Sequence, residues 1–218
     1  MAKRMSATAR VLAVVLASGL AVGLSGCATQ PREPASPSKS LLASARSGNP
    51  LAEYEVGMST LAHARSEPER LAAVAWIRKA AMDDLAMAQD RLGWMYLHGQ
   101  SVPQNTTTAL VWMRRAAERG APAAQLQLGD LYESGASVPT DLEKSYYWFA
   151  IAAKGMPSDV HVIDIAAVQA YASKKAAAVA RMLPPARRAA VAARVAQWQP
   201  RPSVPYVGVV RLGAGARR

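Results

Sequence analysis

One cysteine, one phenylalanine and three histidines stand among 218 residues, and each scarcity removes a class of answer. A single thiol cannot close a disulfide within the chain. No HExxH or CxxC spacing brings two metal ligands to one helix face, so His63, His98 and His161 read as structural or surface residues. There is no GxSxG elbow to carry a nucleophile, and no glycine-rich phosphate loop follows a strand. Asp83 and Asp84 are neighbours on an expected helix, so their side chains diverge instead of sharing one water. The expectation is a chain that is not an enzyme, with no cofactor and no metal. Strand formers are scarce as well: no alternating run of β-branched residues is long enough for a sheet, and "PYVGVVRL" (205–212) stands alone. What replaces them is alanine. Hydrophobic residues make up 51% and aromatics only 6%, and alanine, the strongest helix former, fills tight helix–helix contacts. The composition predicts an all-α protein.

Acidic residues are few, 15 against 26 basic ones, but the excess of +11 is uneven. Residues 49–156 hold 10 basic and 12 acidic side chains, whereas residues 157–218 hold 10 and 2. The basic character therefore belongs to the C-terminal third. It reads either as a solvated outer face on a capping helix or as a contact for an anionic envelope component: lipopolysaccharide phosphates, peptidoglycan carboxylates or an acidic protein. Nucleic acid is disfavoured by the start of the chain.

That start is "MAKRMSATAR", a positive segment, followed by the 14-residue apolar run 11–24. The run is short of the roughly 20 residues a spanning helix needs. A charged start, a short apolar core and small residues at its end describe a secretory signal. The run closes as Leu24-Ser25-Gly26-Cys27, which resembles a bacterial lipobox. The resemblance implies cleavage after residue 26, a lipid on the Cys27 sulfur and acylation of the new amino group, sufficient for stable anchoring. Ala28, where an aspartate would signal inner-membrane retention, implies the outer membrane, facing the periplasm. Residues 27–39 read as a flexible Pro/Ser-rich tether.

Beyond the tether the chain repeats itself. Trp76, Trp112 and Trp148 are spaced by 36 residues, as are Gly57, Gly93 and Gly129, and Ala80, Ala116 and Ala152. Gly99/Gly135, Val102/Val138 and Pro103/Pro139 obey the same step. Each unit reads as two helices. Leu92, Met95 and Tyr96 line the first, Gly99 suits its left-handed end, and Asn105 or Asp141 caps the second. Gly57, Gly93 and Gly129 fall inside helices, where glycine costs about 1 kcal/mol against alanine, so they predict close backbone approach. The Trp76–Trp112–Trp148 stripe shares its face with alanines and reads as core.

These units resemble Sel1-like repeats, relatives of tetratricopeptide repeats with a glycine-containing loop. The match runs Ala-Gln, Leu-Gly, Tyr, Gly, Val-Pro, Asp, Trp and Ala-Ala through the third unit. The first unit (50–85) departs in its loop, where "ARSEPE" replaces the Gly and Val turn. The resemblance implies a short α-solenoid: a half-unit from residue 40, three units to residue 156, capping helices over 157–199 and a disordered basic tail over 200–218. The first capping helix is expected over 158–183, capped by Ser158 or Asp159 and stopped by Pro184-Pro185. By analogy with repeat solenoids the first helix of each pair lines the concave face, with Asp90, Gln127 and Asp130 as contact residues. The function implied is an adaptor binding envelope proteins. The alternatives are a structural accessory of polysaccharide or pilus export and a β-lactam-interacting hydrolase. Relatives of that last kind carry a disulfide in each repeat, which this chain lacks.

Overall fold

The computed structural model describes residues 37–155 and 165–202. Among these there are nine helices and no strand. They are α1 (Lys39–Arg46), α2 (Pro50–His63), α3 (Glu67–Met82), α4 (Ala86–His98), α5 (Thr106–Glu118), α6 (Pro122–Ser134), α7 (Leu142–Lys154), α8 (Ile165–Met182) and α9 (Pro185–Gln197). Helices α2/α3, α4/α5 and α6/α7 form three antiparallel pairs, and each pair packs on the next. This is the all-α solenoid the repeats imply. No described helix is long and apolar enough to cross a membrane. Cys27, the proposed strand 205–212 and the Ser158/Asp159 cap lie outside the described residues.

The step of 36 residues is written into the contacts. A Cβ on Gly57 would stand 2.7 Å from Ile77 Cγ1, one on Gly93 would stand 2.7 Å from Met113 Cγ, and one on Gly129 would stand 2.6 Å from the Phe149 ring. Each glycine thus meets the side chain 20 positions later, where the partner helix presses against its backbone. Asn105 and Asp141 cap α5 and α7 through their side chains. Their backbone N–H groups donate to Tyr96 and Tyr132 carbonyls at 2.8 and 2.9 Å. Gly99 and Gly135 end α4 and α6 in the left-handed region, at φ 68° in both. Leu92, Met95, Met113, Leu128, Phe149 and Ile151 are among the largest buried side chains, and they fill the core within and between the pairs.

One local reading of the sequence is corrected. Asp83 and Asp84 do not share a helix: Asp83 caps α3, and Asp84 takes φ 64°. Asp84 stands where Gly48 and Gly120 make the same turn at φ 87° and 89°. It is held there by Gln89, whose amide donates at 3.2 Å, and by an ion pair with Arg119. The tryptophan stripe packs in or against the core as its spacing suggests, though to different depths. Trp148 is buried, whereas Trp76 and Trp112 are half-buried under Lys79 and Arg115 at 5.8 and 5.0 Å.

Pro184 and Pro185 separate α8 from α9, with Pro185 in the first helical turn. Both capping helices pack on α7. Helix α8 brings Ala176 and Val179 against Phe149, while α9 brings Val195 and Trp198 to the core of the last two repeats. Lys154 donates to the carbonyls of Ala196 and Trp198, both at 3.2 Å, and so satisfies the open C-terminal end of α9.

Candidate functional site

The first helices carry one surface column at the repeat step. Its members at i, i+3 and i+7 are Arg91, Trp94 and His98 on α4, and Gln127, Asp130 and Ser134 on α6. Between these two helices lies a cleft of about 590 Å³. Trp94, Leu97 and Leu131 supply its apolar wall, and Gln127, Asp130 and Glu133 its polar one. Arg91 stacks over Trp94 at 4.9 Å, and the His98 ring tilts against the same indole at 4.4 Å between centroids.

Helix α8 closes one end. Lys175 pairs with Asp130 at 3.3 Å and with Glu133, and the Tyr171 hydroxyl donates to Asp130 at 3.5 Å. Burial works against the Lys175 ammonium, yet bonds to Glu133 and Asp130 outweigh it and hold its pKa above the ordinary lysine value. Gln127 Oε1 is buried without a hydrogen-bond partner. An unmet buried acceptor of this kind costs the fold about 1–3 kcal/mol. An apolar wall beside a tethered acid pair can hold a polypeptide segment by side-chain burial and by N–H groups donated to the carboxylates.

Of the three contact residues expected from the sequence, the structure brings Gln127 and Asp130 into one cleft. Asp90 does not line it. One step of 36 carries Asp90 to Leu126, not to Gln127, so it sits one position off the column. Burial is the larger influence on its carboxyl and pushes the pKa up to about 6, against the opposing pull of Arg91.

Trp94, His98, Glu133 and Lys175 were not anticipated as site residues. The repeat step was signal enough for Trp94 and His98, which share columns with Asp130 and Ser134. Lys175 comes from outside the repeats, where no periodicity marks it. Among the described residues no three His, Cys, Asp or Glu side chains gather as a metal site would require.

Comparison with known proteins agrees with this architecture. A family model described as Sel1 repeat matches residues 50–85, 86–120 and 122–155. The crystal structure of a Sel1 repeat protein from Oxalobacter formigenes is 32% identical, with a TM-score of 0.50; the match covers 64% of this chain and 96% of that one. A protective antigen present in uropathogenic Escherichia coli strains, displaying an SLR fold, is 28% identical over 73% of this chain, with a TM-score of 0.60. The match spans 32% of that antigen's own length. No curated protein matches.

Proposed function

The chain belongs to the Sel1 repeat family, and from that premise we propose that it is a lipid-anchored envelope scaffold that holds a polypeptide segment of a partner protein in the cleft between α4 and α6. Sel1 repeats are modules of protein–protein interaction, and the fold is generally a non-catalytic scaffold. The observation that carries the reading is the cleft itself, in which the apolar wall of Trp94, Leu97 and Leu131 faces the carboxylates of Asp130 and Glu133. The anchor rests on the sequence alone: a charged start, a short apolar run and Leu24-Ser25-Gly26-Cys27. Ala28 favours the outer membrane, and the Pro/Ser-rich composition before α1 suits a tether that gives the repeats reach into the periplasm.

Palmitate labelling and membrane fractionation of the wild type and of Cys27→Ser test the anchor. The wild type is expected to carry label and to sediment with the outer membrane, and Cys27→Ser to lose both. In-cell cross-linking of the same two proteins tests the scaffold. A defined protein recovered with the anchored form supports it. An unlabelled wild type sinks the anchor, and an anchored protein with no protein adduct sinks the scaffold.

A further inference from the structure

The second helices frame another cleft, of about 360 Å³, into which Arg114, Lys144, Arg194 and Arg201 all project from α5, α7, α9 and the residues after α9. Glu118 is the one acid among its lining residues. It is already engaged, because Arg201 pairs with its carboxylate at 3.1 Å while the Arg201 N–H donates to its carbonyl at 2.8 Å. Lys144 is paired with Asp141 at 2.8 Å. Arg114 and Arg194 have no ion pair among the described residues. Arg114 donates to the Tyr132 hydroxyl at 3.3 Å, and Arg194 lies over the Tyr147 ring at 4.7 Å. Arg114 also acts against the Lys144 charge, while the Asp141 bond dominates and keeps that lysine's pKa raised.

Two guanidinium groups are thus held in place with their charge unmatched. Arg194 rests on the face of a ring and Arg114 is held by a phenol oxygen, and neither fork is taken up by a carboxylate among the described residues. Tyr147, Trp148 and Trp198 supply the apolar walls between them. Residues 203–218 carry Arg211, Arg217 and Arg218 and no Asp or Glu side chain, so they offer the cleft no acidic side chain. A cleft this small, with rings alternating with cations, suits a short stretch of side chains of both kinds better than the repeating face of a polysaccharide.

We propose that the cleft between α5, α7 and α9 docks an acidic segment of a partner protein. Its carboxylates pair with Arg114 and Arg194, and an apolar or aromatic side chain lies against Trp198. The residues are separate from those of the α4/α6 cleft, so the inference goes beyond the scaffold reading and stands or falls apart from it.

The test uses the mature chain in detergent micelles and a blocked, fluorescent acidic peptide of about ten residues with a central tryptophan. Anisotropy is expected to show binding that weakens about tenfold between low and moderate salt. A twin peptide with every Glu and Asp replaced by its amide should not bind. Arg194→Glu is exposed, and should weaken binding about tenfold or more with an unchanged thermal melt. Asp130→Lys, in the other cleft, should leave it unchanged. The proposal is overturned by equal binding of the amide twin, by Arg194→Glu binding like the wild type, or by no binding at all. Tighter binding of an acidic oligosaccharide or of anionic lipid vesicles would give the cleft to that class and overturn it too.

Discussion

Residue 53 of the first repeat is a glutamate; one and two steps later the same position holds Gln89 and Gln125. All three are buried. Gln89 and Gln125 donate through their amides to the carbonyls of Ala81 and Ala117, eight residues back, at 2.9 and 3.0 Å, and so tie each first helix to the end of the preceding pair. Glu53 cannot donate as a carboxylate. It pairs instead with Lys79 at 2.5 Å. The step carries Lys79 to Arg115 and then to the buried Ile151. The first repeat also has a shorter connection: Ser66 and Glu69 form a capping box on α3 in place of the Gly–Val–Pro loop. What all three units keep is the glycine pressed against the residue 20 positions on. The difference separates what the stack requires, which is backbone proximity, from what it can solve in more than one way, which is the polar tie and the loop.

The sharpest way to break this comparison is Gln125→Glu. It buries a carboxylate opposite Ile151 with no cation at the step, and removes the bond to Ala117. A loss of about 3–5 kcal/mol is expected by urea denaturation. Next, Gly93→Ala and Gly57→Ala should each cost about 1–3 kcal/mol from overpacking, because the new Cβ meets backbone atoms at 3.0 Å in both. A neutral Gly57→Ala beside a costly Gly93→Ala would show that the first unit is packed differently.

Asn105→Ala and Ser66→Ala should each lose about 1 kcal/mol of capping, so that two different loops depend equally on their caps. Thermal melts of the pair would decide it. A smaller effect is expected from Asp90→Asn. The folded-state pKa of Asp90 is raised, so its charge disfavours the fold at neutral pH and the penalty fades as pH falls from about 6 toward the unfolded value near 4. The variant should therefore melt higher than wild type at neutral pH, and the advantage should vanish in acid. Smallest of all, Glu53→Gln should change stability by less than about 1 kcal/mol, since the new amide can reach for the Ala45 carbonyl as Gln89 and Gln125 reach for theirs.

Much of the fold was legible because a repeat states each contact several times. Three glycines, two loop caps and two left-handed helix ends at one step left little freedom in placing the pairs. The site was less legible for a reason of register. Placing Asp90 on a first helix did not fix its register: the step aligns it with Leu126, while Arg91 and Trp94 are the counterparts of Gln127 and Asp130. Lys175 was beyond such reasoning, because α8 follows the last repeat and its approach to α6 depends on tertiary packing. Asp84 in a left-handed turn was hidden by its residue type; only the glycines one step either side, Gly48 and Gly120, betray it.

The same comparison bears on the proposed binding cleft. In the first repeat the column that bears Arg91, Trp94 and His98 reads Glu55, Met58 and Ala62, without an indole and without a following acid pair. Under the proposed function, partner binding therefore belongs to the last two repeats. A photo-activated cross-linking residue placed at Gln127, and in a second protein at Glu55 of the same column, tests this directly in cells. The account predicts a discrete protein adduct from position 127, lost on adding Asp130→Lys, and none from position 55. Equal adducts from both, or an adduct from position 55 alone, would contradict it.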